Sequence, residues 1–486
     1  MYLGIDIGTS SVKALLIDGN QTVVGTASAP LEASRPQPGW SEQEPSDWWT
    51  ATNAAVGALK EAHRKEVAAV EGIGLSGHMH GATLLGKDDH VLRPCILWND
   101  GRSSAECAEI EAACPNSRLI AGNIAMAGFT APKLLWVKKN EPAVFAKVTK
   151  VLLPKDYVRL LMTGDHASEM SDSAGTLWLD VGKRDWSDEL LAATSLTRAH
   201  MPKLYEGSAP TGRLRADVAE SWGMPKRPVV AGGGGDNAAS ACGIGAVKPG
   251  AGFLSLGTSG VLFVSNATFS PNTAGAVHAF CHSIPNTWHQ MGVILSATGS
   301  LEWLSGLLAE PVPELMAGLG GEIGAPSPVT FLPYLSGERT PHNDPSARGV
   351  FVGLGHESDR AAMTRAVIEG VAFAVRDSQE VLKAAGTKIE SLMAVGGGSR
   401  SRLWLRIIAT LMDTPLLLPE HAEAGGALGA ARLGLAAATG SDPVAICFAP
   451  PVTETIEPSK PHRAAYEAAY QRYRKLYPAI KQVMSK

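Results

Sequence analysis

The sequence predicts an α/β protein made of two related lobes that face each other across a cleft. The main observation is that one short pattern occurs twice, about 250 residues apart. Residues 2–12 read YLGIDIGTSSV and residues 253–261 read FLSLGTSGV, and each is an apolar strand, a Gly-Thr-Ser turn and a second strand. Such a pattern is typical of a β-hairpin with a hydroxyl-rich tip. Strand-then-helix segments follow each hairpin, which indicates a duplicated α/β fold.

Length and composition narrow the class of protein. A chain of 486 residues is too long for one hydrophobic core, so two or three domains are expected. The net charge of −4 gives no reason to expect nucleic acid or an anionic membrane as a partner. The six cysteines are scattered without a CxxC pair, which indicates reduced thiols in a cytoplasmic protein. The first strand begins at Tyr2, so no signal peptide is expected.

The first lobe is predicted to open with a three-strand meander over residues 2–28 and to continue with a helix from near Ser46. Residues 70–75 form a predicted strand that runs into Gly-His-Met-His-Gly. Ser103 and Glu106 have the spacing of a capping box for the next helix. Pro228 precedes a short apolar strand, which ends in four glycines and Asp236. The second hairpin follows at once, so we place the lobe boundary near residue 246, between lobes 1–245 and 246–486.

The second lobe repeats this order of elements. Asp359 is a predicted helix cap, and residues 392–395 form a strand that runs into a Gly-Gly-Gly-Ser loop and a further helix. The apolar stretch 424–439 contains Arg432 and is better explained by a buried helix than by a membrane span. The last helix, from Arg463, carries four tyrosines on one side, which we interpret as a packing face.

The two hairpin turns predict a clamp for a polyphosphate. Turn amides and hydroxyls form an anion-binding concavity, and glycine lets a ligand approach the backbone. The carboxylate of Asp6 ends the first strand, where a Mg²⁺ ion held through water would lie. The alternative for Asp6 is a bond to its own backbone. ATP is therefore the expected ligand, and the residues of the clamp are Gly8, Thr9, Ser10, Gly257, Thr258 and Ser259.

The nucleotide base is expected near a second glycine-rich loop. Residues 396–399 read GGGS, with Gly397 and Gly398 at the centre, and they lack the GxGxxG order of a dinucleotide loop. Together with the Gly-Gly-Ala-Leu-Gly stretch at 425–429, they would offer a smooth wall against which an adenine ring could lie.

Asp236 is the candidate general base for phosphoryl transfer. It follows a strand and four glycines, and strand ends of this kind are where open α/β sheets bind ligands. The alternative is that Asp236 only caps the helix that begins at Asn237. Four glycines are more than a helix cap requires, which favours the catalytic interpretation.

Two further segments are candidates for binding a polyol. Residues 98–102 combine Trp98, Asp100 and Arg102, which suit a sugar, although a salt-bridged loop is the alternative. His78 and His80 alternate on the predicted strand and could face one way to bond sugar hydroxyls. No cluster of further metal-ligand residues accompanies the two histidines in the sequence, which argues against a zinc site. The polar loop 336–342 could contact the ligand or hold the lobes together.

At these residues the sequence resembles the FGGY family of carbohydrate kinases, in the actin, Hsp70 and hexokinase superfamily. The first signature of the family resembles residues 128–140, and the second resembles residues 349–369. Met79-His80-Gly81, residues 96–102 and residues 336–342 resemble in particular the members that phosphorylate D-xylulose. The resemblance extends from the first strand to about residue 435.

The resemblance implies two actin-like (ribonuclease H-like) ATPase lobes, with sugar on the first and ATP mainly on the second. It implies a cytoplasmic enzyme of D-xylose catabolism that makes D-xylulose 5-phosphate from D-xylulose and MgATP. Separately, a homodimer is among the expected partners. The resemblance makes Asp236 the proton acceptor, Asp6 important through magnesium, and Met79 and His80 sugar contacts, to which we add Asn237. The alternatives are a kinase for ribulose, gluconate or glycerol, and a nucleotide-dependent regulatory protein, which would need no polyol-binding loop.

Overall fold

The structure is a computed structural model that describes residues 1–420 and 425–484. It contains two seven-stranded sheets, which confirms the predicted α/β class. The first sheet begins with the predicted meander, because the strands Tyr2–Ile7, Ser11–Ile17 and Val23–Pro30 pair antiparallel in succession. In order across the sheet, its strands are Pro210–Arg213, Val229–Ala231, Gly72–Gly77, Tyr2–Ile7, Ser11–Ile17 and Val23–Pro30, with Gly234–Gly235 also paired to Gly72–Gly77.

The register of the first sheet brings two predicted site residues to one edge. Strand Gly72–Gly77 runs parallel to the first strand, with Ser76 opposite Asp6. On its other side, Ser76 is opposite Gly234, two residues before Asp236. Adjacent strands lie about 5 Å apart, so Asp6 and the glycine strand stand roughly 10 Å apart at the same carboxyl edge.

The second sheet repeats the hairpin and carries the second glycine loop. Its strands Ala251–Leu256 and Gly260–Asn266 form the predicted hairpin, and Ser391–Val395 runs parallel to the first of them. The Gly396–Arg400 loop therefore follows directly beside the hairpin tip. In order, the strands are His278–Cys281, Trp288–Ile294, Gly260–Asn266, Ala251–Leu256, Ser391–Val395, Leu416–Pro419 and Val452–Ile456.

Helices cover both sheets, and the short strands lie outside them. The helices of nine or more residues are Pro45–Ala62, Ser104–Ala113, Thr130–Asn140, Pro154–Thr163, Asp236–Ile244, Thr298–Leu308, Arg360–Ala384, Arg402–Met412, Gly425–Thr439 and Arg463–Met484. The shorter ones are Arg64–Ala68, Ser117–Ala121, Pro142–Phe145, Met170–Ala174, Asp188–Ala193, Ala216–Trp222, Val312–Ala317 and Pro443–Ile446. The short strands are Glu42–Gln43, Thr83–Leu85, Cys95–Ile96, Lys150–Leu152, Ala167–Glu169, Leu179–Asp180, Asp185–Trp186, Lys203–Tyr205, Thr330–Leu332 and Val350–Val352.

Two helices meet at the junction between the lobes. The Asp236 helix (Asp236–Ile244) packs Ala241 and Ile244 into a core with Phe253 and Phe263 of the second sheet. The Gly425 helix (Gly425–Thr439) instead packs on the first sheet, as the core shared by Ala427, Ala431 and Tyr2 shows. The two helices also lie against each other so closely that a Cβ at Gly429 would come 1.8 Å from the Ala239 carbonyl oxygen. This crossed pair physically links the lobes.

Most of the other local predictions are confirmed. The helix of 424–439 is present from Gly425, while Ala424 lies outside the described residues. Asp359 caps its helix, since its Oδ1 accepts the Ala362 N–H at 2.8 Å. The tyrosine face of the last helix is a packing face: Tyr466, Tyr470, Tyr473 and Tyr477 are all buried. No helix in the described ranges is long and apolar enough to cross a membrane.

The predicted capping box at Ser103 is wrong. Ser103 does stand before the helix, but its hydroxyl donates to the Ala127 carbonyl at 3.0 Å and caps no helical N–H. The Glu106 carboxylate pairs with Lys139 Nζ at 3.1 Å. Both side chains find partners from distant parts of the chain, which the local pattern could not reveal.

Candidate active site

The Asp236 carboxylate stands at the carboxyl edge of the first sheet and is partly buried. It is the first residue of its helix, with Gly235 as the residue that precedes the helix. Its Oδ1 accepts the backbone N–H of Asn237 at 2.7 Å and the side-chain N–H at 2.9 Å, while no described residue bonds Oδ2. Burial, with a smaller contribution from the negative charge of Asp6, raises the pKa of Asp236 to about 6. A carboxylate with one free oxygen and this pKa is suited to accept a proton near neutral pH.

Asp6 lies against the start of the Gly425 helix. A Cβ at Gly426 would come 2.8 Å from Asp6 Oδ2, so glycine leaves room for the carboxylate there. Burial raises the pKa of Asp6, and the Ser76 hydroxyl and the charge of Lys13 partly offset that rise. The described residues contain no group of three or more His, Cys, Asp or Glu side chains able to hold a metal ion. A single carboxylate fits Mg²⁺, which keeps several waters and binds substrate phosphates.

The tips of the two hairpins are held by neighbouring elements. Trp98 Nε1 donates to Thr9 Oγ1 at 3.0 Å, and Gln43 Nε2 donates to the Thr9 carbonyl at 2.7 Å. At the second tip, the Ala297 N–H donates to the Thr258 carbonyl at 2.7 Å. The Thr298 N–H likewise donates to the Gly257 carbonyl at 2.8 Å. These bonds fix both turns, and the second one anchors helix Thr298–Leu308.

Two cavities open on either side of the 396–400 loop. One has a volume of about 1010 Å³ and is bordered by Gly397, Leu428 and Phe448 and by the first-lobe turn at residues 21–23. The other, of about 540 Å³, is bordered by Gly397, Gly398 and Thr298, together with apolar side chains that include Met316 and Trp404. The second cavity therefore lies next to the start of helix Thr298–Leu308, which is hydrogen-bonded to the tip of the second hairpin. The predicted Gly425–Gly429 wall contributes Leu428 to the first cavity.

Met79 lies against Gly235, the residue before Asp236, and His80 adjoins Met79 near Gly175. A Cβ at Gly235 would come 3.0 Å from the Met79 side chain, and a Cβ at Gly175 would meet both Met79 and His80. His80 Nδ1 lies 2.6 Å from the Gly175 carbonyl oxygen. Because a carbonyl only accepts, Nδ1 carries the proton and Nε2 is left as an acceptor. Burial lowers the pKa of His80 to about 3, so the ring is neutral.

The prediction that His78 and His80 alternate on a strand and face one way is wrong. The strand ends at Gly77, and His80 has a left-handed backbone with φ of 71°. His78 is buried edge-on against Trp48, with ring centroids 5.6 Å apart, whereas His80 lies on Phe129 at 4.7 Å. Neither nitrogen of the His78 ring has a hydrogen-bond partner in the part of the chain that the structure describes. The two imidazoles therefore have separate surroundings.

Comparison with known proteins identifies the family. Residues 1–243 match the N-terminal domain of the FGGY family of carbohydrate kinases, and residues 252–438 match its C-terminal domain. The chain belongs to the FGGY family of carbohydrate kinases. It is 48% identical to the xylulose kinase of Escherichia coli K12 and 49% identical to that of Klebsiella pneumoniae, with all of each chain covered.

Solved structures of FGGY kinases agree with the fold. The crystal structure of a "xyloylose kinase" from Brucella ovis matches with a TM-score of 0.98 and 59% identity over 99% of both chains. The xylulose kinase of Rhodospirillum rubrum matches with a TM-score of 0.92 and 29% identity over 100% of both. The predicted actin-like fold of two lobes is therefore confirmed, and ATP is the phosphoryl donor expected of this kinase family.

In this FGGY kinase, Glu42 holds the 98–102 loop in place, and sequence analysis missed this residue. Arg102 pairs with Asp100 at 2.7 Å, which is the ion pair given as the alternative, and also with Glu42 at 2.6 Å. Its guanidinium lies 3.6 Å from the centre of the Trp40 ring. The charged groups of Asp100 and Arg102 are thus engaged inside the loop, and their contact with sugar stays a prediction. Trp98 is 42% exposed and available beside Thr9.

A buried polar cluster beneath Asp236 was also missed. The Gly235 N–H donates to Ser171 Oγ at 3.0 Å, and that hydroxyl donates to Glu169 at 2.9 Å. Glu169 belongs to a fully buried group of charges in which Lys155 Nζ lies 2.7 Å from Asp156 and 3.3 Å from Asp172. The polar run at residues 168–173 is the only signal in the sequence for this support.

Proposed function

We propose that this FGGY kinase transfers the γ-phosphoryl group of ATP to O5 of D-xylulose and forms D-xylulose 5-phosphate, in D-xylose catabolism. The observation that carries the proposal is the free Oδ2 of Asp236, which follows Gly235 where that glycine lies against Met79. Relatives at 48% and 49% identity over the whole chain are xylulose kinases, which supports the choice of sugar.

In the proposed reaction Asp236 is the general base. The side chain and backbone of Asn237 hold Oδ1, so the orientation of the carboxylate is set before sugar binds. Oδ2 accepts the proton of the sugar hydroxyl as its oxygen attacks the γ-phosphorus and the bond to ADP breaks. His80 Nε2, an acceptor, takes a hydrogen bond from a sugar hydroxyl, and Met79 forms an apolar wall. Trp98, Asp100 and Arg102 border the sugar from their loop.

The nucleotide would lie between the hairpin tips with its base in the 540 Å³ cavity. We favour that cavity because Thr298 borders it and is bonded to the Gly257 turn. The 1010 Å³ cavity beside Leu428 is the alternative. The turns Gly8–Ser10 and Gly257–Ser259 would bind the phosphates, and Gly397 and Gly398 the base. Asp6 would hold Mg²⁺ through water, and the ion would neutralise charge on the phosphates.

The crossed helices suit closure of the lobes during the reaction. We assign sugar binding to residues 1–245 and most of the ATP site to residues 246–486, as the sequence predicts. The Asp236 helix begins in the proposed sugar site and shares a hydrophobic core with residues of the second sheet. Movement of either lobe would therefore shift the Asp236 carboxylate. Closure would exclude water from the transferring phosphoryl group. We also propose that the enzyme is cytoplasmic and forms a homodimer.

The test of this function is a comparison of substrates. ADP release is measured with MgATP and D-xylulose, D-ribulose, gluconate or glycerol, and the value of kcat/KM is compared between them. D-xylulose should give the highest value. A higher value for another acceptor would replace the sugar assignment, and sugar-independent ATP hydrolysis at the same rate would favour a regulatory protein.

A further inference from the structure

The polar loop 336–342, whose role the sequence left open, is fixed on the second lobe. The Thr340 N–H donates to the Val293 carbonyl at 3.0 Å. Glu338 Oε1 accepts the Leu295 N–H at 3.0 Å and the Arg339 N–H at 2.8 Å. The loop is therefore attached at the end of strand Trp288–Ile294, and the position of Arg339 is determined by the sheet.

Arg339 reaches the aromatic group that surrounds His80. Its Nη1 lies 3.4 Å from His278 Nε2, and the His278 ring stacks on Phe280 with centroids 5.4 Å apart. Phe280 and Phe129 both also contact His80, at 6.3 Å and 4.7 Å between centroids. The guanidinium is thus one aromatic layer from His80, and its charge helps to lower the pKa of that ring.

The positive charge of Arg339 has no ion-pair partner among the described residues. The guanidinium makes one hydrogen bond to a described residue, the neutral ring of His278, which leaves further N–H donors unused. Burial raises the pKa of the neighbouring Glu338 to about 8, so that carboxyl group is mainly neutral at pH 7. No nitrogen of Arg339 is among the fully buried, unbonded side-chain atoms of the described residues, so a ligand in the cleft can reach these donors.

Two other cations near His80, Lys133 and Arg102, already have partners. Lys133 Nζ donates to the carbonyls of His80 and Gly128, both at 2.8 Å, and is fully buried. Arg102 is paired with Asp100 and Glu42. Of these three cations, Arg339 is therefore the one with donors that no described residue accepts.

The chemistry of a ketose supplies an acceptor for those donors. A ketone oxygen can only accept hydrogen bonds, and His80 Nε2 can only accept as well, so His80 cannot bind the carbonyl. With O5 at Asp236, the carbonyl end of the sugar lies roughly 6 Å further along its carbon chain, past Met79 and toward His80. We infer that Arg339, from the second lobe, donates to the ketone oxygen of the sugar and selects ketoses over polyols. This inference rests on the proposed kinase function.

The test compares D-xylulose with xylitol, in which the ketone is reduced to an alcohol. The KM of D-xylulose and the inhibition constant of xylitol are measured for the wild-type enzyme, Arg339→Gln and Arg339→Lys. Loss of a charged hydrogen bond should raise the KM of D-xylulose about 10- to 100-fold in Arg339→Gln, with a smaller rise in Arg339→Lys. Binding of xylitol and the KM of ATP should change less than about threefold. Arg348→Gln, an exposed arginine of the same segment, is the matched control and should behave as wild type.

Each outcome separates the inference from the function on which it rests. A wild-type enzyme that does not phosphorylate D-xylulose refutes the proposed function. A wild-type enzyme that does so, with unchanged KM in a folded Arg339→Gln, refutes the role of Arg339. Equal weakening of xylulose and xylitol also refutes the assignment to the ketone. If Arg339→Gln does not fold by thermal melting, Arg339→Lys decides, and an unchanged preference for xylulose over xylitol there overturns the inference.

Discussion

Replacement of Asp236 by Asn should separate a catalytic base from a structural residue. Asn keeps the size of the side chain and can still accept the Asn237 N–H through its amide oxygen, but it cannot take a proton. The expected loss in kcat is at least about 10²-fold, the usual contribution of a general base. The KM of ATP should change little, because the proposed binding sites for the ATP phosphates and for the adenine lie on other elements.

The raised pKa of Asp236 also predicts the effect of this replacement on stability. Relative to the ordinary value of 3.8, a pKa of about 6 means that the fold disfavours the ionised carboxylate. Two pH units correspond to about 3 kcal/mol, and partial exposure reduces this to about 1–2 kcal/mol. This cost is present above pH 6, shrinks as the pH falls through 6, and is absent below 3.8. Asp236→Asn should therefore be more stable than wild type at pH 8 and equally stable at pH 3.5.

The assays are a pH series of kcat/KM for D-xylulose and thermal melts at both pH values. Wild-type kcat/KM should fall below a pH of about 6, roughly tenfold per unit, because it reports the free enzyme, while the residual activity of Asp236→Asn should not show this fall. Near-normal turnover in the variant would remove Asp236 from the mechanism. An unfolded variant at pH 8 would show that the bonds to Asn237 matter for the fold, in support of the capping alternative.

Two further replacements test the metal site and the crossed helices. Asp6→Ala should lower kcat by at least about 10²-fold and leave sugar affinity by calorimetry nearly unchanged, because its proposed partner is MgATP; an equal loss of sugar binding would make Asp6 a sugar or structural residue. Gly429→Ala should destabilise the protein by about 1–3 kcal/mol and reduce kcat, because its Cβ would overlap the Ala239 carbonyl of the Asp236 helix. Gly57→Ala, in a helix with open space around the glycine, should be neutral or stabilising by up to about 1 kcal/mol, and similar melting of the two variants would contradict the packing argument.

The parts of the fold that the sequence could predict are those determined by neighbouring residues. Both hairpins follow from strands flanking a Gly-Thr-Ser turn, and the Asp359 cap follows from a side chain three residues from its acceptor N–H. The placement of the Gly425 helix could not be predicted in this way. Its small residues allow close approach to any flat surface, and the choice of the first sheet depends on glycines in that sheet, such as Gly74, far away in sequence.

In the candidate site, too, features determined by neighbouring residues could be predicted, and features determined by distant residues could not. The positions of Asp6 and Asp236 at strand ends could be predicted because parallel strands end at one edge. Arg102 pairs with its neighbour Asp100, as one alternative predicted, but its second partner is Glu42, sixty residues away, and no local pattern indicates it. His80 has a left-handed backbone and its ring bonds the carbonyl of Gly175, 95 residues away, so a strand pattern assigned the histidines to the wrong geometry.

The most direct measurement of the central claim is the identity of the product. The enzyme is incubated with MgATP and D-xylulose, and the product is examined by phosphorus–proton correlation NMR. The proposed geometry places O5 at Asp236, so the phosphorus should couple to the protons on C5 and yield D-xylulose 5-phosphate. Coupling to the C1 protons would show that the sugar binds in the opposite direction, and ADP formation without a phosphorylated sugar would contradict a kinase for D-xylulose.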